Sequence, residues 1–125
     1  MPERFPGIET LNYNKYGVMI DYFNNINDSK FLDVVRTLAN NCGYSLEYFR
    51  CSLASARHPL EEVEFEGDVR FVNATGRSGE QSLIVDYSTV YKYVSMACED
   101  YLTRNHNEKD RIEEALTAIR QRYNI

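Results

Sequence analysis

Apolar residues along this chain recur at two spacings, and the switch between them divides it into elements. The firmest helical stripe is Phe31, Val34, Val35, Leu38 and Cys42, flanked by Leu32 and Ala39, with Lys30, Asp33, Arg36, Thr37 and Asn40 on the wet side. Asp28 or Ser29 is placed to cap its start, and Gly43 stands where a helix C′ residue belongs. Ahead of it, Met19, Tyr22, Phe23 and Ile26 fit one face of a short helix, although Val18 and Ile20 also permit a strand. Residues 1–16 hold two prolines and a glycine without periodicity and are expected to form an irregular arm. A third helix, about 88 to 104 and capped by Ser88, carries Val90, Val94, Ala97, Cys98 and Tyr101, widened by Tyr91, Tyr93 and Leu102. Asn105-His106-Asn107 interrupts the pattern. A last helix from Glu108 to about Tyr123 then follows, with Ile112, Ala115, Leu116, Ile119 and Tyr123 as a narrow seam. The short linker favours an antiparallel helical hairpin.

Between the helices the spacing falls to two. Tyr44 to Leu53 reads as a strand, with Phe49, Cys51 and Leu53 on one face. Residues 60–73 alternate more strictly: Val63, Phe65, Gly67, Val69 and Phe71 on one side, Glu62, Glu64, Glu66, Asp68, Arg70 and Val72 on the other. Asn73 to Glu80 is a hairpin loop, and Gln81 to Asp86 returns with Leu83 and Val85 opposite Ile84. The expected fold is α+β: a two-layer single domain spanning residues 1–125, with a small, mainly antiparallel three-stranded sheet between two N-terminal and two C-terminal helices.

Charge changes this picture. The net charge is −5, yet residues 1–57 hold six acidic and six basic side chains, and residues 87–125 again six and six. Residues 58–86 hold seven acidic and two basic, so the whole imbalance lies there. Same-face neighbours on a strand sit roughly 7 Å apart, within the Debye length of about 8 Å, so the acidic row repels itself by ~1–2 kcal/mol in total. A basic partner would offset that cost. The alternative is a non-catalytic adaptor or structural subunit whose acids only guard a sheet edge. A nucleic-acid binder is disfavoured, since it would show a basic face.

Candidate chemistry adds little. No glycine-rich phosphate loop, metal-ligand spacing or nucleophile elbow occurs, so no cofactor and no metal is expected. His58 with Glu61, Glu62 or Glu64 is the one acid/base pairing that a small hydrolase could use, and an exposed loop histidine among surface acids is the simpler reading. Cys42 and Cys98 lie on or beside core stripes and read as buried apolar groups. Ten tyrosines against no tryptophan bias the chain toward tyrosine contacts; Tyr44, Tyr48 and Tyr87 are the interface candidates, the others falling mostly on core stripes. Three widely spaced cysteines, the lack of a secretory-type apolar run at the start and the lack of any bilayer-spanning run point to a cytoplasmic protein without membrane contact.

Three segments carry a resemblance: Phe31-Leu32-Asp33-Val34-Val35-Arg36-Thr37-Leu38, Phe65-Glu66-Gly67, and Tyr91-Lys92-Tyr93-Val94-Ser95-Met96-Ala97-Cys98-Glu99-Asp100-Tyr101-Leu102. In that order and spacing, over about residues 18–118, the chain resembles the immunity proteins of bacterial contact-dependent growth inhibition systems, in the group paired with ribonuclease toxins of the EndoU-like type. The resemblance implies a protein without activity of its own. Such a protein binds the basic toxin domain at the C-terminus of a large secreted effector and covers its active site or RNA-binding surface. An acidic surface suits that task, because a nuclease presents a basic cleft to phosphate. The expected toxin-binding residues are therefore Glu61, Glu62, Glu64, Glu66 and Asp68, with Tyr48 or Tyr87 as aromatic anchors.

Overall fold

The computed structural model describes residues 4–5, 10–40, 44–53, 68–76 and 79–125. Helix α1 spans Thr10–Asn24 and α2 spans Asp28–Ala39. Strands β1 (Phe49–Leu53), β2 (Val69–Asn73) and β3 (Gln81–Val85) follow. Helix α3 covers Tyr87–Arg104, a single 3-10 turn His106–Glu108 reverses the chain, and α4 covers Lys109–Tyr123. Among the described residues the result is an α+β fold with four helices and one open antiparallel sheet in the order β1-β2-β3.

The register fixes which strand residues face the core. Leu53 pairs with Val69 and Val69 with Val85; Cys51 pairs with Phe71 and Phe71 with Leu83. These residues share one face, and α1 lies directly on it over β2 and β3. Tyr22 and Phe23 of α1 meet Phe71 edge-on at ring distances of 5.3 and 5.9 Å. Each such fully buried ring contributes about 1.5–3 kcal/mol relative to exposure. The other helices complete the layer: α2 and α4 pack together, and both touch α3. The predicted stripes are the buried ones, namely Phe31, Val34, Val35 and Leu38 on α2, Val90, Val94, Ala97, Cys98 and Tyr101 on α3, and Ile112, Ala115 and Ile119 on α4.

Several boundaries differ from expectation. Helix α1 starts at Thr10, inside the stretch expected to be irregular, and its regularity breaks at Tyr16 (φ −117°, ψ 17°), next to Gly17. The first strand is shorter than expected: Tyr44 to Tyr48 is irregular, and the Leu46 amide donates back to the Phe49 carbonyl at 2.8 Å. The long acidic strand is described only from Asp68, which is a bend, so β2 proper begins at Val69. Residues 60–67, like Cys42, Gly43 and His58, lie outside the described residues. Helix caps also shift. Asn27 precedes α2 and leaves Asp28 inside its first turn, while Asp86 rather than Ser88 caps α3 by accepting the Thr89 amide at 2.8 Å. In both cases the chain enters the helix one or two residues early, because the extended backbone required of an N-cap falls there.

The largest departure is at Arg4 and Phe5. Both are 2% exposed. Phe5 wedges between Phe23 and Tyr93, at 6.4 and 5.7 Å. Arg4 Nε donates to the Phe23 carbonyl (3.0 Å), and Nη2 donates to the Ile26 carbonyl (2.5 Å) and to Asp28 Oδ1 (2.9 Å). Its guanidinium lies 4.3 Å from the Phe31 ring centre. What looked like an arm is a pin through the α1–α2 corner.

Candidate functional site

The expected binding residues divide three ways. Glu61, Glu62, Glu64 and Glu66 lie outside the described residues. Asp68 and Tyr87 come together: Val69 pairs with Val85, so the residues just before β2 and just after β3 meet at one end of the sheet. There Asp68 Oδ2 accepts the Tyr87 amide at 3.1 Å. Tyr48 sits at the opposite end, beside the Phe49–Asn73 pair, with its carbonyl bound to the Ala74 amide. Four residue steps of strand separate the two ends, roughly 13 Å at 3.3 Å per residue.

Local chemistry explains what each of these residues does within the fold. The α3 N-terminus presents unpaired amides, and two carboxylates take them: Asp86 at Thr89 and Asp68 at Tyr87. The capping bonds hold the Asp86 carboxyl below its ordinary value. Tyr87 is half-buried and stacks on Tyr123 at 4.1 Å and 15°, while the Tyr123 hydroxyl donates to the Leu38 carbonyl at 2.8 Å. Tyr87 thus has a packing role, whereas Tyr48 is 53% exposed. Glu80, the remaining described acid of the acidic segment, bonds Arg50 at 2.7 Å. All three described acids of residues 58–86 are therefore engaged locally. β2 is also the central strand, flanked on both sides, so its described part offers no edge for acids to guard.

Two features escaped sequence reasoning. The first is an ion-pair knot. Arg4 and Arg104 share Asp28 and Asp100, with Arg104 Nε 2.8 Å from Asp28 Oδ2 and Arg104 Nη2 2.7 Å from Asp100 Oδ2. Arg4 Nη1 lies 3.6 Å from the same Asp100 oxygen. The Arg104 hydrogen bonds, more than the Arg4 ones, draw the Asp28 carboxyl down to about 2. No spacing rule links residues 76 apart in sequence. The second is a cleft of about 420 Å³ between α1 and β3, bounded by Tyr13, Val18 and Asp21 on the helix and Gln81, Ser82 and Leu83 on the strand. A hollow of about 210 Å³ continues it past Lys15 toward Ile84 and Asp86. One signal was available: Gln81–Val85 carries no charge, proline or glycine.

The reactive groups among the described residues are otherwise quiet. Burial pushes the Cys51 and Cys98 thiols up to about 12, so both stay protonated at neutral pH. His106 is exposed, with Nδ1 3.2 Å from the Leu102 carbonyl. Among the described residues no group of three or more His, Cys, Asp or Glu side chains is placed to hold a metal ion. No described helix is long and apolar enough to cross a membrane.

The model of the CDI immunity protein family matches residues 15–116, and the chain belongs to that family. Its function is accordingly immunity against a toxin, and a cognate toxin is its partner. No curated protein sequence matches the chain.

Proposed function

We propose that the cognate toxin is a ribonuclease with a basic RNA-binding cleft, and that residues 61–68 meet that cleft. The carrying observation is the charge map: the whole net charge of −5 falls in residues 58–86, on an otherwise neutral chain. Asp68, Asp86 and Glu80 each make a local bond; the acids assigned to the cleft are Glu61, Glu62, Glu64, Glu66 and Asp68. A localised field of this kind raises the association rate and makes it fall with salt. Tyr48, exposed at the far end of the sheet, is the better aromatic anchor, and Tyr87 supports the Asp68 end. The protein acts by occlusion and has no catalytic step.

The test replaces Glu62, Glu64 and Glu66 with lysine and measures toxin association at several salt concentrations. A slower on-rate with a flatter salt slope is expected. Unchanged rate, affinity and salt slope would place the interface elsewhere.

A further inference from the structure

Natural sheets protect their edges with charges, prolines, bulges or covering segments. The β1 edge follows that practice, with Arg50 in the strand and the Leu46 amide folded back onto Phe49. The β3 edge does not. Its five residues, Gln81–Val85, are uncharged, Ile84 is 45% exposed, and among the described residues β2 is its one neighbour in the sheet. Pairing with β2 uses the amides and carbonyls of alternate residues, so the others point outward. No backbone hydrogen bond joins that outer side to another described segment. The cleft beside α1 runs along the same line and leaves room for the side chains of an added strand.

We propose that the open edge of β3 docks an extended segment of the partner toxin, which pairs with it as a fourth strand. This rests on the reading of the chain as a toxin-binding protein. Charge sets the chemistry of the occupant. Asp21 flanks the Gln81 end of the cleft and Asp86 flanks the Val85 end, with Lys15 between them. Asp21 accepts the Tyr13 hydroxyl and Asp86 the Thr89 amide, and among the described residues neither forms an ion pair. The matching segment is small or apolar at its centre, to cover Leu83 and Ile84, and carries a lysine or arginine toward each end. A second copy of this chain fits badly. Antiparallel pairing of two β3 strands about Leu83 would set Asp86 of each copy against Glu80 and Asp21 of the other. Backbone pairing would supply affinity and the flanking charges direction, the mode by which peptides add to exposed sheet edges.

The probe is the cognate toxin domain, mixed with the full chain. Amide exchange across residues 81–85 should slow at least tenfold in the complex. Ile84→Lys should weaken binding at least tenfold with an unchanged melting temperature; should that variant misfold, Ser82→Lys serves the same purpose. Asp21→Asn should slow association and reduce its salt dependence. A complex in which β3 exchange and Ile84→Lys affinity are both unaltered overturns the docking line and leaves toxin binding standing. Absence of any complex overturns both. Concentration-dependent protection of β3 in the free protein would identify a second copy as the occupant and overturn the assignment to the toxin.

Discussion

Replacing Arg4 with alanine strips the buried Ile26 carbonyl of its donor, takes one of two donors from the Phe23 carbonyl, which keeps the Ile26 amide at 3.3 Å, and removes the stacking on Phe31. The orphaned carbonyl costs about 1–3 kcal/mol. Removing one member of a buried charge network costs ~3–5 kcal/mol when its partner is left bare. Here Asp28 and Asp100 keep Arg104, so the lower end of that range, about 3 kcal/mol, is the expected total. For a domain of this size, worth ~5–15 kcal/mol, each kcal/mol moves the melting temperature by ~3–5 °C. Arg4→Ala should therefore lower it by about 10–15 °C, measured by circular dichroism and checked by the urea midpoint. Arg4→Lys should recover less than half, because a single ammonium on a flexible stem cannot serve Phe23, Ile26 and Asp28 with the geometry of a planar fork. An Arg4→Ala protein melting within about 2 °C of the parent would show that the N-terminal pin contributes nothing, and the network argument would fail.

Other expectations follow from the same contacts. Asp86→Ala should cost about 1 kcal/mol through loss of the α3 cap, read from the urea midpoint. Tyr22→Phe should cost ~1–2 kcal/mol, since the Tyr22 hydroxyl donates to the Tyr44 carbonyl at 2.6 Å in a partly buried setting; a neutral result would mean that carbonyl finds water. Tyr87→Ala should lower the melting temperature by removing the stack on Tyr123, whereas Tyr48→Ala should leave it unchanged and weaken toxin binding alone. In acid the sign is set by Asp28, whose folded value of about 2 lies below its ordinary 3.8. Its contribution is fully present above pH ~4 and fades as pH falls toward 2; because the side chain is about one-third exposed, solvent screening holds it to roughly 1 kcal/mol. Asp28→Asn should flatten the stability loss between pH 4 and 2, and an unchanged slope would assign the acid sensitivity to other carboxylates.

The acidic segment and the packed residues were legible to different degrees. The α2, α3 and α4 stripes were readable because a helix face depends only on spacing of three and four within one segment. The inward faces of β1 and β3, and the three-strand antiparallel sheet, followed from alternation in the same way. The charge map was a property of the sequence alone, and so was the family resemblance. Tertiary structure decided what depends on partners far away in the chain. It drew Arg4 into a site made by Phe23, Ile26, Asp28 and Phe31, although its neighbours in sequence include two prolines and a glycine. It set the β2–β3 register that brings Asp68 to Tyr87 and sends Tyr48 to the other end. It assigned Asp68, Glu80 and Asp86 to local bonds, which composition counts as three free charges. And among the described residues it left the uncharged β3 as an edge strand beside an open cleft. Local periodicity determines which face of an element is apolar; which element ends up at an edge, and which charge is already spoken for, depends on how the elements close in space.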